Sequence, residues 1–245
     1  MDHTFEEILL TLEAAFSKLE SLVPKPVLIS IGQSRGFRYL EKSIQQAIIL
    51  KLARYVSGLY SAKILLNNGM FQEQGVIQRT LDEFFEDILF LTHGIKSEFT
   101  DLHKRFLQTF FQEEFDDSLK RNSLKRDMVP RKKIRAYIAR MEEPELDLNQ
   151  GVELAKTIYS VYSGYVHGAA PHILEMYGGQ PKSFHLRGFP CSGLVGDHQT
   201  DIWNYFYRGI LATSYVGIAL GAQSLVEHLL NYKKKVEEEA GKDYD

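Results

Sequence analysis

The chain has 245 residues, with 29 Lys and Arg against 32 Asp and Glu, a formal net charge of −3 and a single cysteine. That length can bury a real core, a lone thiol excludes a disulfide framework or a Cys-rich zinc site, and 44% hydrophobic residues exclude wholesale disorder and collagen-like or low-complexity chains. The opening MDHTFEEILL is acidic where a secretion signal needs a basic flank, which points to an intracellular, cytoplasmic protein.

Between the seven prolines the apolar residues recur at helical spacing. The expected fold is mainly α, a bundle of about seven to eight helices with at most a small two-stranded β ribbon. It forms one domain over 1–245, its core at about 70–232 and the helices of 4–66 packed on it. The first helix covers roughly 4–22, capped by Thr4 with Glu7 three residues on. Val27 to Ile31 reads as a strand, to be paired with Ser183 to Leu186. A long helix runs from Tyr39 to Leu66, stopped by Asn67-Asn68-Gly69, and a third from Phe71 to Thr92, ending before Gly94. Phe99, Leu102, Phe106 and Phe110 build a fourth, and Ile134, Tyr137, Ile138 and Met141 a fifth after Pro130. The sixth runs from about Leu148 to His167, with Gly168 suited to a left-handed C-terminal residue. Pro171 opens a short helix closed by Gly178-Gly179, and one last helix covers about 200–232.

Gly209 to Val226 is an uncharged run of 18 residues, but seven of them are Gly, Ser, Thr or Gln, too polar for a membrane span. The small residues Gly209, Thr213, Gly217 and Gly221 recur every four positions and permit close helix approach, in a bundle centre or a homodimer formed through this C-terminal helix.

Charge is uneven along the chain. Nine basic residues fall between Ser118 and Arg140, opposed only by Asp127. Arg126, Arg131, Lys132, Lys133 and Arg135 are the candidate contacts to a phosphate or nucleic acid. The alternative is a solvated face neutralised by acidic neighbours such as Glu113. Aromatics and glycines are not interleaved with these charges, as a stacking surface would require.

The chemistry-bearing residues concentrate between Tyr159 and Gly188. Ser163 and His167 fall one turn apart on a helix flank, within hydrogen-bonding reach, with His167 at the C-terminus where the dipole favours its charged form. A histidine that only caps the last carbonyls is the alternative. On the third helix Arg79, Glu83 and Glu86 make a polar stripe opposite Ile77, Leu81, Phe84 and Ile88. In solvent that stripe is an ordinary charged face; turned inward against the sixth helix, it lets Glu83 orient His167. The Gly168 break would then bring His172, His185 and Arg187 to the same cleft. The histidine spacing matches no metal-ligand signature, and no metal or cofactor is implied. Cys191 reads as a loop residue.

Two segments, QRTLDEFFEDILFL and YSGYVHGAAPHILEMYGG followed by FHLRG, resemble uncharacterised prokaryotic helical proteins related to the HEPN superfamily, over roughly 70–185. Those relatives pair an Arg-x-x-x-Glu helix with a Ser-x-x-x-His helix end, matched here by Arg79 and Glu83 and by Ser163 and His167. The resemblance implies a helical bundle, often dimeric, of the kind found in bacterial toxin, abortive-infection and antiviral defence systems. Nuclease-type members carry an arginine shortly before the histidine, whereas Ser160, Val161 and Tyr162 stand at those positions here. Three functions stay open: a module of a defence or stress system that binds RNA, DNA or nucleotide; an enzyme using His167 as general acid or base on an anionic substrate; and a non-catalytic dimerisation or assembly protein.

Overall fold

The computed structural model describes residues 2–31, 34–113, 127–142 and 162–241, and these form a mainly helical bundle with two short antiparallel ribbons. Helix α1 spans Asp2–Glu20, followed by β1 (Val27–Ile31) and β2 (Ser34–Arg38), then α2 (Ile44–Asn67), α3 (Phe71–Lys96), α4 (Asp101–Phe110) and α5 (Arg131–Glu142). A helical segment α6 covers 162–166, and α7 (Ala170–Leu174), β3 (Tyr177–Gly178), β4 (Ser183–Phe184), α8 (Val195–Ala219) and α9 (Gln223–Ala240) complete the order.

Helices α2, α3 and α8 pack on one another at the centre; α1 covers α2 and α8, α5 covers α3, and α9 covers α8. One cluster of buried apolar residues runs through all of them, from Phe5 and Leu12 on α1 through Tyr55, Leu81 and Phe90 to Phe206, Ile210 and Leu229. The helices of the first third are therefore built into the same core as the rest.

Helix ends follow local chemistry. Helix α1 begins two residues before Thr4, and Glu7 reaches Lys235 on α9 instead of closing a capping box. Helix α2 starts at Ile44 rather than Tyr39 because Ser43 and Gln46 satisfy each other's backbone amides. Helix α3 continues through Gly94, which is a packing notch rather than a stop: a Cβ there would lie 2.6 Å from the buried His103 ring. The expected final helix is two helices, broken where Gly221 takes φ +74° and the Ala222 amide donates to the Gly217 carbonyl. Nor do the strand segments pair across the chain. Each forms a local hairpin, Val27 opposite Arg38 and Tyr177 opposite Phe184.

The close approach that the glycine spacing allows is made inside the chain. A Cβ on Gly209 would meet Leu59 at 2.9 Å and Leu12 at 3.0 Å, and one on Gly217 would meet Val226 at 2.7 Å. These two glycines are therefore used for packing within the chain. No described helix is long and apolar enough to cross a membrane.

Candidate functional site

Helix α3 places Val76, Arg79, Thr80 and Glu83 on one face, and α6 with the turn that follows it places Ser163, Val166 and His167 on another, each set at spacings of three and four residues. The two faces line a cavity of about 320 Å³, half open to solvent, to which these seven residues contribute. The Arg79 guanidinium donates to the Glu83 carboxylate at 2.9 Å, with the Arg79 side chain 9% exposed. The polar stripe of α3 is thus turned inward at this end, and all four residues singled out for chemistry meet at one opening.

The details differ from the expectation. Ser163 and His167 are joined through the backbone, the His167 amide donating to the Ser163 carbonyl at 3.0 Å, while Gly168 at φ +62° and the Ala169 amide close the helix on Gly164. Both side chains are left to face the cavity. Glu83 engages Arg79 and lies 3.6 Å from Arg131; its carboxylate makes no hydrogen bond to His167 among the described residues. Val166 is 46% exposed at the cavity wall.

Tyr162 and Tyr165 fasten α6 from its inner side. The Tyr162 hydroxyl donates to Asp201, and the ring meets Tyr205 edge-on. Tyr165 lies flat on α3, where a Cβ at Gly75 would sit 2.5 Å from the ring, and its hydroxyl donates to Glu175. Behind Arg79, the buried Asp82 accepts from Arg208 at 2.7 Å and from the Tyr205 hydroxyl at 3.2 Å. Burial raises the Asp82 carboxyl above its ordinary value, with Arg208 and Arg79 opposing. It raises the Tyr162 and Tyr205 hydroxyls too, so both stay protonated donors.

His172, His185 and Arg187 do not line the cavity. After the Gly168 turn, α7 returns His172 against Gly164 and the Tyr165 ring, 4.1 Å between centroids, on the side of α6 away from Ser163 and His167. There it joins Glu175, which lies 3.5 Å from His172 Nδ1 and 3.6 Å from His198 Nε2 and accepts from Gln72. His185 is stacked on Phe189 at 3.9 Å and its Nε2 bonds the Gly178 carbonyl, while Arg187 is exposed on the same ribbon. No described group of histidines, cysteines and carboxylates could hold a metal ion.

The basic helix is also corrected. Arg131 makes a two-pronged bond to Asp87, with nitrogen to oxygen distances of 2.5 and 3.2 Å, and Arg135 donates to Glu86 at 2.7 Å. These two face α3 and serve packing, neutralised by Glu83, Glu86 and Asp87; Glu113, expected to do this, pairs with Arg38. Lys132 and Lys133 are exposed, and Arg126 lies outside the described residues.

Sequence reading missed Asp82, Tyr205, Arg208, Glu175 and His198. For Asp82 a signal existed, since it falls three and four residues from Phe85 and Gln78, on a face that is half-buried at the first and buried at the second.

Two buried histidines make stability pH-dependent. Burial holds His198 below the usual histidine value against Glu175, Asp201 and Asp197, and holds His103 down likewise against its bond to the Phe90 carbonyl. Both are then neutral when folded, while in the unfolded chain they take up protons below about pH 6.5. The unfolded state binds more protons there, so stability holds above about 6.5 and falls as pH drops below it. Urea midpoints at about pH 7.5 and 5.5 should show this loss, and His198→Gln should reduce it. An unchanged midpoint would contradict the neutral assignment.

No family model, curated protein or solved structure matches the chain.

Proposed function

We propose that the protein is a HEPN-like module of a bacterial defence or stress system, cytoplasmic, that binds a nucleotide in the cavity between α3 and α6. The observation that carries this is the meeting of Arg79, Glu83, Ser163 and His167 at one cavity, the same two residue pairs that bear the resemblance. At about 320 Å³ the space falls within the range of small-molecule sites. Arg79 and His167 answer a phosphate, Glu83 and Ser163 answer hydroxyl or amino donors, and Val76 and Val166 give apolar walls to a base. With Arg131 and Arg135 committed to α3, the basic helix retains fewer cations for a phosphate backbone, which favours one nucleotide over a duplex.

Titration calorimetry with the four ribonucleoside monophosphates at low salt tests this. Ser163→Ala and His167→Ala should each weaken binding about tenfold, the size of one hydrogen bond to a charged group. No heat with any of the four would end the proposal. The presence of Glu83 and His167 on one cavity favours a second reading, catalysis with His167 as general acid or base. That role requires a loss of about 10²–10⁴ in rate for a folded His167→Ala protein.

A further inference from the structure

The ribbon β3–β4 has the pattern that the basic helix lacks. From Met176 to Gly196 the chain holds Lys182 and Arg187 and no Asp or Glu, in a protein of net charge −3. Tyr177 and Phe184 face each other across the ribbon, ring centroids 5.1 Å apart and edge to face, and they are 45% and 50% exposed. Leu186 beside them is 77% exposed. Lys182 and Arg187 are exposed and make no ion pair among the described residues.

The ribbon is held rigidly from behind. The Phe189 amide donates to the Gly69 carbonyl at 2.9 Å, and Gly188, at φ +97°, lies so close to the Asn68 carbonyl that a Cβ would fall 2.0 Å from its oxygen. His185 and Phe189 stack on each other, and the His185 amide donates to Met176. The inner rings are committed to the fold and the outer pair is left open.

We infer that the exposed face of β3–β4 is a stacking platform for single-stranded nucleic acid, Tyr177 and Phe184 receiving bases while Lys182 and Arg187 answer the phosphates. Aromatic, basic and glycine residues alternate along the ribbon as bases and phosphates alternate along a strand. A membrane surface would instead call for apolar side chains segregated from the charges. The platform is a second site, independent of nucleotide binding in the cavity.

Fluorescence anisotropy of a labelled single-stranded RNA of about a dozen nucleotides tests the platform on the full chain. Phe184→Leu keeps an apolar side chain but removes the ring, and should weaken binding on the order of tenfold, as should Tyr177→Ala. Lys182→Gln with Arg187→Gln should flatten the salt dependence. Circular dichroism and thermal melting establish that each variant is folded. Monophosphate binding without strand binding would overturn the platform and leave the cavity reading intact, and absence of both would remove the two together. Strand binding unaffected by Phe184→Leu, or preference for anionic vesicles retained in that variant, would also overturn it.

Discussion

Asp87→Ala should destabilise the protein by about 3–5 kcal/mol, the range for breaking a buried ion pair from one side. The Asp87 side chain is fully buried and holds two cations, Arg131 from α5 and Lys51 from α2, the latter at 2.7 Å. Removing the carboxylate leaves two charges facing a low-dielectric interior. Lys51 would keep the faces of Phe84, Phe106 and Phe110, between 4.7 and 5.6 Å from their centroids, which offsets part of the loss. Arg131 would retain the Glu83 carbonyl at 3.3 Å and the Glu83 and Glu86 carboxylates at 3.6 and 3.7 Å. Urea unfolding measures the change. Lys132→Ala and Lys133→Ala, on the exposed face of the same helix, should stay within about 0.5 kcal/mol. A small loss for Asp87→Ala would mean that α5 is held by its apolar residues, Ile134, Tyr137 and Ile138, rather than by the pair of Arg131 with Asp87.

That distinction marks what the sequence could and could not convey. Helical spacing located the helices because burial of one face is a local, periodic property. It also placed Arg79 with Glu83, and Ser163 with His167, since each pair needs only one helix. Their meeting was readable as a possibility from the matching one-turn spacing, and all four line one cavity, but only Arg79 is buried, Glu83 and Ser163 are half-buried and His167 is exposed. The charge of α5 was equally visible, but its direction was not. Arg131, Lys132, Lys133 and Arg135 look alike in a list of charges, and only their angular position relative to α3 separates the two that meet Asp87 and Glu86 from the two in solvent. The same holds for glycine. Gly94, Gly217 and Gly221 carry one chemical character in the sequence, yet the first admits a histidine ring, the second admits Val226, and the third turns the chain at positive φ. The cleft histidines failed for a related reason: whether α7 folds towards the Ser163 side of α6 or the Tyr165 side depends on Gly164 accepting the His172 ring, a contact with no periodic signature.

Phe90 on α3 is fully buried, and its ring packs on α4 and α5 rather than on the cavity. It stacks on His103 at 3.9 Å and meets Phe106 and Tyr137 edge-on. Phe90→Ala should therefore cost about 3–5 kcal/mol, the usual range for losing a fully buried phenyl ring. The loss has a second readout. The His103 ring is held neutral mainly by burial, while its Nδ1 accepts from the Thr100 amide and its Nε2 donates to the backbone carbonyl of residue 90, a bond that survives the substitution. Opening one ring face to water should let the His103 value rise towards that of a free histidine, so the acid-side loss of stability attributable to this residue should shrink. Nuclear magnetic resonance titration of the histidines in wild type and variant measures the shift directly. A large stability loss with an unmoved His103 titration would show that His103 is kept neutral by Thr100 and Tyr137 alone, and that Phe90 acts only by filling space.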